Sequence, residues 1–409
     1  MLLLTVAASA GAYARTTVGP LQETMRVALA LSDNQIALLQ GPALAVPMVI
    51  CAVPLGLVID RYSRAYLLLF LAVLEITGNV LTALASRFAF LFGARCLIGL
   101  TAFAIAPVAM SLLADLYAPA QRGRATMVMA LGQVGGVSAA FALGGALLAM
   151  ADARLDGWRW VMFWMTGPLI AVLFAMLAMR EPPRTERGTK NPSVRQAFTE
   201  LWGYRAVIAP LLAGVVIEQI SAGAALVWAA PALARNFGLA PARIGGIIGT
   251  AWLVSGAVGA IGGGLLADLC QRTGGPRRTM YALSALSLLS IPACLFALMP
   301  GTPSASVLLS LLISLGAVVA VTAAALSTVV IPNELRGLSM TVLAAAGLLV
   351  GLGLAPVSVS FLSNAIGGPS RIGEALALVG TAASVLSATV FAVGSRNLPG
   401  TATSPGTPT

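Results

Sequence analysis

Apolar residues run in long stretches along nearly the whole chain, separated by short polar breaks. The stretches lie near residues 2 to 22, 36 to 59, 66 to 86, 88 to 116, 125 to 150 and 158 to 180, then 206 to 233, 242 to 268, 279 to 299, 305 to 331, 339 to 364 and 373 to 395. Each is close to the roughly 20 residues an α-helix needs to cross hydrocarbon. Helices satisfy their own backbone groups there, so the pattern predicts an all-α membrane protein with twelve transmembrane helices. The one long polar segment, Glu181-Pro-Pro-Arg-Thr-Glu-Arg-Gly-Thr-Lys-Asn-Pro-Ser-Val-Arg195, has the Pro and charge content of a linker. It divides the chain into a six-helix bundle over 1–180, a linker over 181–205 and a second six-helix bundle over 206–395. Residues 396–409, rich in Pro, Gly, Ser and Thr, are predicted to be a disordered tail.

Composition sharpens this picture. With 58% hydrophobic and 9% charged residues, the chain falls outside the range of soluble domains. A net charge of +10 could suggest nucleic acid, but the bases are scattered through short loops and form no stripe with aromatics, so nucleic-acid binding is not expected. Cys51, Cys96, Cys270 and Cys294 show no C-x-x-C spacing and the chain has no His, so no metal site is expected and the thiols read as small core residues. Phosphate-cradling loops and catalytic triads are missing as well, which argues against an enzyme and against any cofactor. Met1 to Ala10 lacks the basic start of a signal peptide and is read as part of the first span.

Basic residues set the orientation, because Lys and Arg accumulate in cytoplasmic loops. An inside N-terminus places 15 of them in the inner loops and tail and 7 outside, with Arg15 and Arg95 inside spans. Both termini and the linker are therefore expected in the cytoplasm, with the bilayer that of a bacterial inner membrane.

The two halves share a plan. Gly56-Leu-Val-Ile-Asp60-Arg61-Tyr-Ser-Arg64 ends the second span, and Gly264-Leu-Leu-Ala-Asp268-Leu-Cys-Gln-Arg272 ends the eighth, so that Asp60 and Asp268 stand 208 residues apart. The first stretch resembles the loop signature between the second and third helices of the major facilitator superfamily, and the second resembles its echo. Arg95-Cys-Leu-Ile-Gly99 is similar to that superfamily's fourth-helix Arg-x-x-x-Gly, Gly132 to Gly145 to its glycine-rich fifth helix, and Trp158 to Phe163 to the start of its sixth. The resemblance covers essentially the whole chain. It implies two pseudo-symmetric six-helix bundles, the MFS fold, exposing a central site alternately to each side. Tyr13-Ala-Arg15-Thr16 and the loop from Asp115 to Arg124 look most like the spinster-like branch and related organic-anion carriers. Those families usually place an Asp before the first-helix Arg and, in spinster-like members, a Glu in the fourth helix; here Ala14 and Ala102 stand in those places.

A charge at the bilayer centre costs roughly 2.5 to 3.5 kcal/mol, so each buried ionisable group needs a reason. Arg15, with Tyr13 and Thr16 beside it, offers a fork of donors to a carboxylate or phosphate, or else bonds to backbone. Glu218, with Gln219 next to it and Trp228 nearby, is the leading proton-coupling candidate; its alternative is a structural ion pair with Arg15. Glu75, a second buried acid with Asn79 one turn on, is a further proton-coupling candidate; the resemblance implies instead a structural partner there, because third helices mostly lie outside the cavity. Arg95 resembles the fourth-helix Arg of proton-driven members, or anchors helix packing. The resemblance also implies a cytoplasmic gate: Asp60, Arg61, Arg64, Asp115 and Arg122 in the first half, Asp268, Arg272, Glu334 and Arg336 in the second. The plain alternative is that these bases only hold loops inside. Gly132 and Gly136, Gly259 and Gly263, and Gly347 and Gly351 are each four apart, a spacing that permits close helix contact.

These readings converge on a secondary transporter, monomeric in the lipid bilayer, that moves a small organic, anionic or amphipathic solute and draws on protons. Two alternatives stay open at this point: a proton-driven drug or metabolite exporter whose Glu218 engages a cation, and a receptor or scaffold that transports nothing.

Overall fold

The computed structural model describes residues 1–151, 157–183, 194–331 and 333–398, which are helical almost throughout. The first half is α1 (Leu2–Thr16), α2 (Pro42–Arg61), α3 (Arg64–Leu84), α4 (Phe88–Leu116), α5 (Pro119–Met150) and α6 (Gly157–Met176). The second half opens with α7 (Arg205–Phe237), followed by α8 (241–274) and α9 (276–294), which share one helical path broken at Gly275. Gly275 has φ 64° and ψ −155°, a conformation that glycine reaches without cost, and Pro276 then opens α9. Next come α10 (Thr302–Val330), α11 and α12 (Ile372–Gly394). In α11 the segments Asn333–Gly347 and Ala355–Ile366 flank a π-helical stretch at Leu348–Leu354. The expected twelve crossings are therefore present.

Two expected boundaries shift. α1 stops at Thr16 instead of continuing to residue 22, because Gly19-Pro20 removes a donor and disfavours helix before it. The chain continues in the short helices Gln22–Ala28 and Asp33–Gln40 at the end of the bundle remote from the linker, the far side. Within the expected linker, Val194–Gly203 is helical, and its Leu201 is buried with Ile208, Ile331 and Leu335. Residues 184–193 of that linker and 399–409 of the expected tail lie outside the described residues.

Close backbone approach joins the halves, as it must where lipid is as apolar as the side chains and van der Waals contact drives association. α5 meets α8: a Cβ on Gly245 would come 2.3 Å from the Phe141 carbonyl, and Ser138 Oγ donates to the Gly249 carbonyl at 2.7 Å. α2 meets α11, where a Cβ on Gly41 would lie 2.7 Å from the Gly353 carbonyl. The glycine pairs singled out in the sequence serve packing inside the halves. Gly132 and Gly136 fit against Thr5 and Ser9 of α1, Gly259 and Gly263 against Ala317 and Val321 of α10, and Gly347 and Gly351 against Gln219 of α7.

Candidate functional site

A cavity of about 300 Å³ lies at the junction of the halves. Nearly all its wall comes from the second half: Val215, Gln219, Ala222, Gly223 and Leu226 of α7, Trp252 of α8, Ala320 of α10, and Leu343, Ala344, Gly347, Leu348, Gly351 and Leu352 of α11. The α7 residues recur at helical spacing, so one face of that helix forms a wall. α7 and α11 touch backbone to backbone, since a Cβ on Gly223 would sit 1.8 Å from the Gly351 carbonyl oxygen. Among the described residues, Arg15 is the one charged group lining this space and the one contributed by the first half.

Arg15 is held by its surroundings while its donors stay available. Its guanidinium carbon lies 5.1 Å from the Phe103 ring centroid, within cation–π range. Arg95, fully buried, donates from Nη2 to the Arg15 backbone carbonyl at 2.7 Å and so ties α4 to α1. The guanidinium itself makes no hydrogen bond to the described residues. The acid that acts on it electrostatically is Glu75 of α3, without a direct ion-pair contact. Glu75 is buried against the gap at Gly11, and its Oε1 has no hydrogen-bond partner among the described residues. Asn79 accepts from Thr17 Oγ1 at 2.9 Å and donates to the Glu75 backbone carbonyl at 3.1 Å, which fixes α3 to α1 beside the pair.

On the far side an ion network joins the halves. Ser32 and Gln35 form a capping box that starts the helix Asp33–Gln40, placing Asp33 at its N-terminus. Arg235 lies at the C-terminal end of α7, which Gly238 closes at φ 60°. Acid at an N-terminus and base at a C-terminus each complement a helix dipole. Arg235 reaches Asp33 Oδ2 at 2.7 Å and Oδ1 at 2.9 Å, Glu23 Oε2 at 2.8 Å and the Pro369 carbonyl at 3.2 Å. Arg26 completes the network at 2.7 Å from Glu23 and 3.8 Å from Asp33. Burial opposes ionisation of Glu23, but the hydrogen bonds from Arg235 and Arg26 outweigh it and hold the carboxyl below its ordinary range. Asn364 donates to Asn34 at 3.1 Å and Gln22 to the Val227 carbonyl at 2.7 Å, again across the halves.

At the linker side, ion pairs form inside the first half. Arg64 bonds to Asp115 and, at 2.9 Å, to Glu181, which also accepts from Ser63 at 2.9 Å and from the Ala65 N–H at 2.8 Å. Burial works against ionised Glu181, yet the Ala65 amide, Arg64 and Ser63 together hold it below the usual carboxylate range.

The family model described as Major Facilitator Superfamily matches residues 4–352. The chain belongs to the Major Facilitator Superfamily. Among curated relatives, the triacylglyceride transporter of Mycobacteroides abscessus is 30% identical over 191 residues, covering 46% of this chain and 35% of that protein. The probable 4-methylmuconolactone transporter of Cupriavidus pinatubonensis is 28% identical over 274 residues, covering 64% of this chain and 60% of that protein. The matched stretches thus span about a third to three fifths of these relatives' own lengths. Among solved structures, a bacterial homologue of the human lysosomal transporter Spinster, inward-facing and unoccupied, superimposes with a TM-score of 0.79 at 21% identity, covering 97% of this chain and 96% of that one.

Set in this superfamily fold, the residues expected at the site separate. Arg15 and Gln219 line the cavity. Tyr13 is buried and donates from its hydroxyl to the Met165 carbonyl at 3.0 Å, and Thr16 donates to the Ala12 carbonyl at 2.8 Å and borders a smaller void with Gln40. Trp228 is fully buried and donates to the Pro356 carbonyl at 2.9 Å, in the core and not on the cavity wall. Glu218 does not meet Arg15; it points to the other side of α7, toward Ser287, Ser290 and Ser387. The carboxylate beside Arg15 is Glu75, from the helix expected to stay outside the cavity. Among the gate residues, Arg64 and Asp115 pair, Arg122 donates to the carbonyls of Tyr117 and Ala114 at 3.1 and 2.8 Å, and Arg61 is exposed. Asp268 and Arg272 are exposed with no ion pair to described residues, and the side chains of Asp60, Glu334 and Arg336 lie outside the description. Sequence reading missed Arg235 with its two acids, and Trp252, whose buried Nε1 at the cavity has no partner among the described residues. The only sequence signal for Arg235 was an Arg in the last turn of a span.

Proposed function

We propose that this protein is a secondary transporter for a small amphipathic organic anion, bound in the central cavity with its anionic group on Arg15. The observation that carries this reading is a guanidinium with unspent donors in a cavity between the halves whose other described lining residues are uncharged and mostly apolar. An apolar wall takes the hydrocarbon part of the solute, and the volume suits a small molecule, near the lower end of roughly 300 to 1,000 Å³ for ligand sites. Hydrogen bonds to a charged group contribute roughly 1.5 to 3 kcal/mol, so Arg15 supplies much of the specificity. The relatives named for triacylglyceride and 4-methylmuconolactone transport support an organic solute.

Glu75 supplies the coupling. A bound anion competes with the Glu75 carboxylate for the field of one guanidinium, so anion binding and protonation of Glu75 favour each other. The orientation set by basic residues puts the linker side in the cytoplasm of a bacterial inner membrane. The Arg235 network then closes the outside, and the Arg64 network braces the first bundle on the inner side. A monomer suffices for this cycle.

The test is anion uptake in proteoliposomes. Arg15→Ala abolishes uptake and Arg15→Lys restores it in part, while Glu75→Gln keeps anion exchange but no longer accumulates anion against a gradient when the inside is alkaline. Retained export of organic cations by Arg15→Ala, with no anion transport by the parent, would refute the reading.

A further inference from the structure

On the linker side the two halves treat their bases differently. In the first half Arg64 meets Asp115 and Glu181. In the second, Arg272 lies in the last turn of α8, Arg277 and Arg278 in the first turn of α9, and Arg396 just after α12. All four are exposed, and none forms an ion pair with a described residue. The sequence holds little to neutralise them. Asp268 is the one acidic side chain between residues 241 and 299, and Glu374, the one after residue 336, stands at the far-side start of α12.

The fold gathers these bases. Gly275 turns the chain from α8 into α9, and Gln271 before the turn donates to Thr279 Oγ1 after it at 3.1 Å. Arg278 lies over the turn: a Cβ on Gly274 would come 2.9 Å from its Cβ, and its Nη1 donates to the Thr273 carbonyl at 3.4 Å. The end of α12 packs alongside. A Cβ on Gly394 would lie 2.7 Å from Met280 Cε, and Leu398 is buried in one cluster with Met280 and Leu283. Arg396 is thereby held near Tyr281 of α9, whose hydroxyl bonds to Ser395 and Arg277. Ser395 spends its hydrogen on the Ala392 carbonyl at 2.7 Å, so Tyr281 donates to Ser395 and accepts from Arg277.

From this patch toward the far side, α9 exposes Tyr281, Leu288 and Leu289 and α12 exposes Leu386 and Val393. Bases without acids, set at the end of an apolar surface that faces hydrocarbon, match a molecule with an anionic head and apolar chains. We infer that the Arg277, Arg278, Arg396 and Tyr281 cluster binds the headgroup of an anionic phospholipid in the leaflet on the linker side, its chains lying along α9 and α12. Guanidinium forks fit phosphate oxygens, and basic pockets beside membrane helices recognise such headgroups. The lipid supplies the negative charge that the first half takes from Asp115 and Glu181, and it tethers the α8–α9 turn to the leaflet. The inference is independent of the anion reading, because none of these residues lines the cavity.

The test uses the full chain in neutral detergent micelles, with phosphatidylglycerol as the probe and phosphatidylcholine as the comparison without net charge. A ligand of the folded state stabilises it, so the unfolding temperature should rise saturably with phosphatidylglycerol alone. One base near an anionic leaflet is worth roughly fivefold in affinity, so Arg277→Gln with Arg278→Gln should move the midpoint roughly twentyfold. Arg277→Lys with Arg278→Lys, which keeps the charges and loses the forks, should move it less. Arg396→Gln, beyond the last span, disturbs folding least and must by itself move the midpoint by about fivefold. Arg124→Gln with Arg205→Gln takes the same charge from the same side away from the patch and must leave the midpoint in place. Equal shifts in the patch and control pairs would overturn the proposal, reducing these arginines to charges that hold their loop on one side of the bilayer. An equal response to phosphatidylcholine would overturn it too, as would saturation by soluble glycerol 1-phosphate at the same midpoint, which would mark a site for a free phosphate ester.

Discussion

Arg235→Gln removes a guanidinium that bridges the halves on the far side. Its partner Asp33 has a side chain only 1% exposed, whereas Glu23 is 29% exposed. The intact network is neutral, with Arg235 and Arg26 against Glu23 and Asp33. Without Arg235, Asp33 keeps only Arg26 Nε at 3.8 Å. Breaking a buried pair costs roughly 3 to 5 kcal/mol, while the solvent-screened Glu23 contributes about 1 kcal/mol or less. Taking the lower figure, because one edge of the network is wet, the closed far side loses about 3 kcal/mol, or roughly a hundredfold in its population relative to the open state. The readout is a cysteine pair at Asn34→Cys and Asn364→Cys, which stand in hydrogen-bond contact at 3.1 Å across the halves. Cys51, Cys96, Cys270 and Cys294 are first replaced. Oxidative cross-linking should be fast in the parent and slowed by one to two orders of magnitude in Arg235→Gln, with Arg235→Lys between them because it keeps the charge and loses the fork. Equal cross-linking rates and equal transport in parent and Gln variant would refute the argument that this network holds the far side shut.

Other expectations follow from the same geometry. Both Glu23 and Glu181 are held below the ordinary carboxylate value, so the stability each contributes is present above that value and lost as pH falls through the lowered one. The distance between spin labels at positions 34 and 364, a readout that does not itself titrate, should therefore stay short from neutral pH down to the ordinary carboxylate range and lengthen only below it; a change near neutral pH would show another group in control. Gly223→Ala puts a Cβ where the Gly351 carbonyl now lies 1.8 Å away, so α7 and α11 must separate, at about 3 kcal/mol or more. A lower unfolding temperature and weaker substrate binding should appear together. Trp228→Phe removes one buried hydrogen bond to the Pro356 carbonyl and should cost about 1 kcal/mol of stability without altering substrate affinity, whereas Trp252→Phe should weaken binding with little loss of stability. Arg15→Lys should lower apparent anion affinity roughly tenfold by losing the planar fork, read as an increase in KM.

The sequence by itself determined the number of crossings, the duplication and the expense of Arg15, Glu75, Arg95 and Glu218. Those follow from segment length and from the cost of charge in hydrocarbon, which are properties of the chain taken one stretch at a time. Even the break that shortens α1 was written there, in Gly19-Pro20. What the tertiary structure decided is which way each of those groups faces. In a soluble helix the apolar stripe reveals the buried face, but here lipid and core are equally apolar, so α7 reads alike all round. Only the packing showed that Gln219 looks into the cavity while Glu218, one residue earlier, looks into a cluster of serines, and that Arg15 answers to Glu75 rather than to Glu218. The Arg235 network was equally hidden, since its acids lie about two hundred residues away in the other half and no local pattern couples positions so distant. Helix number is a local consequence of the bilayer, whereas the site belongs to the contact between two bundles.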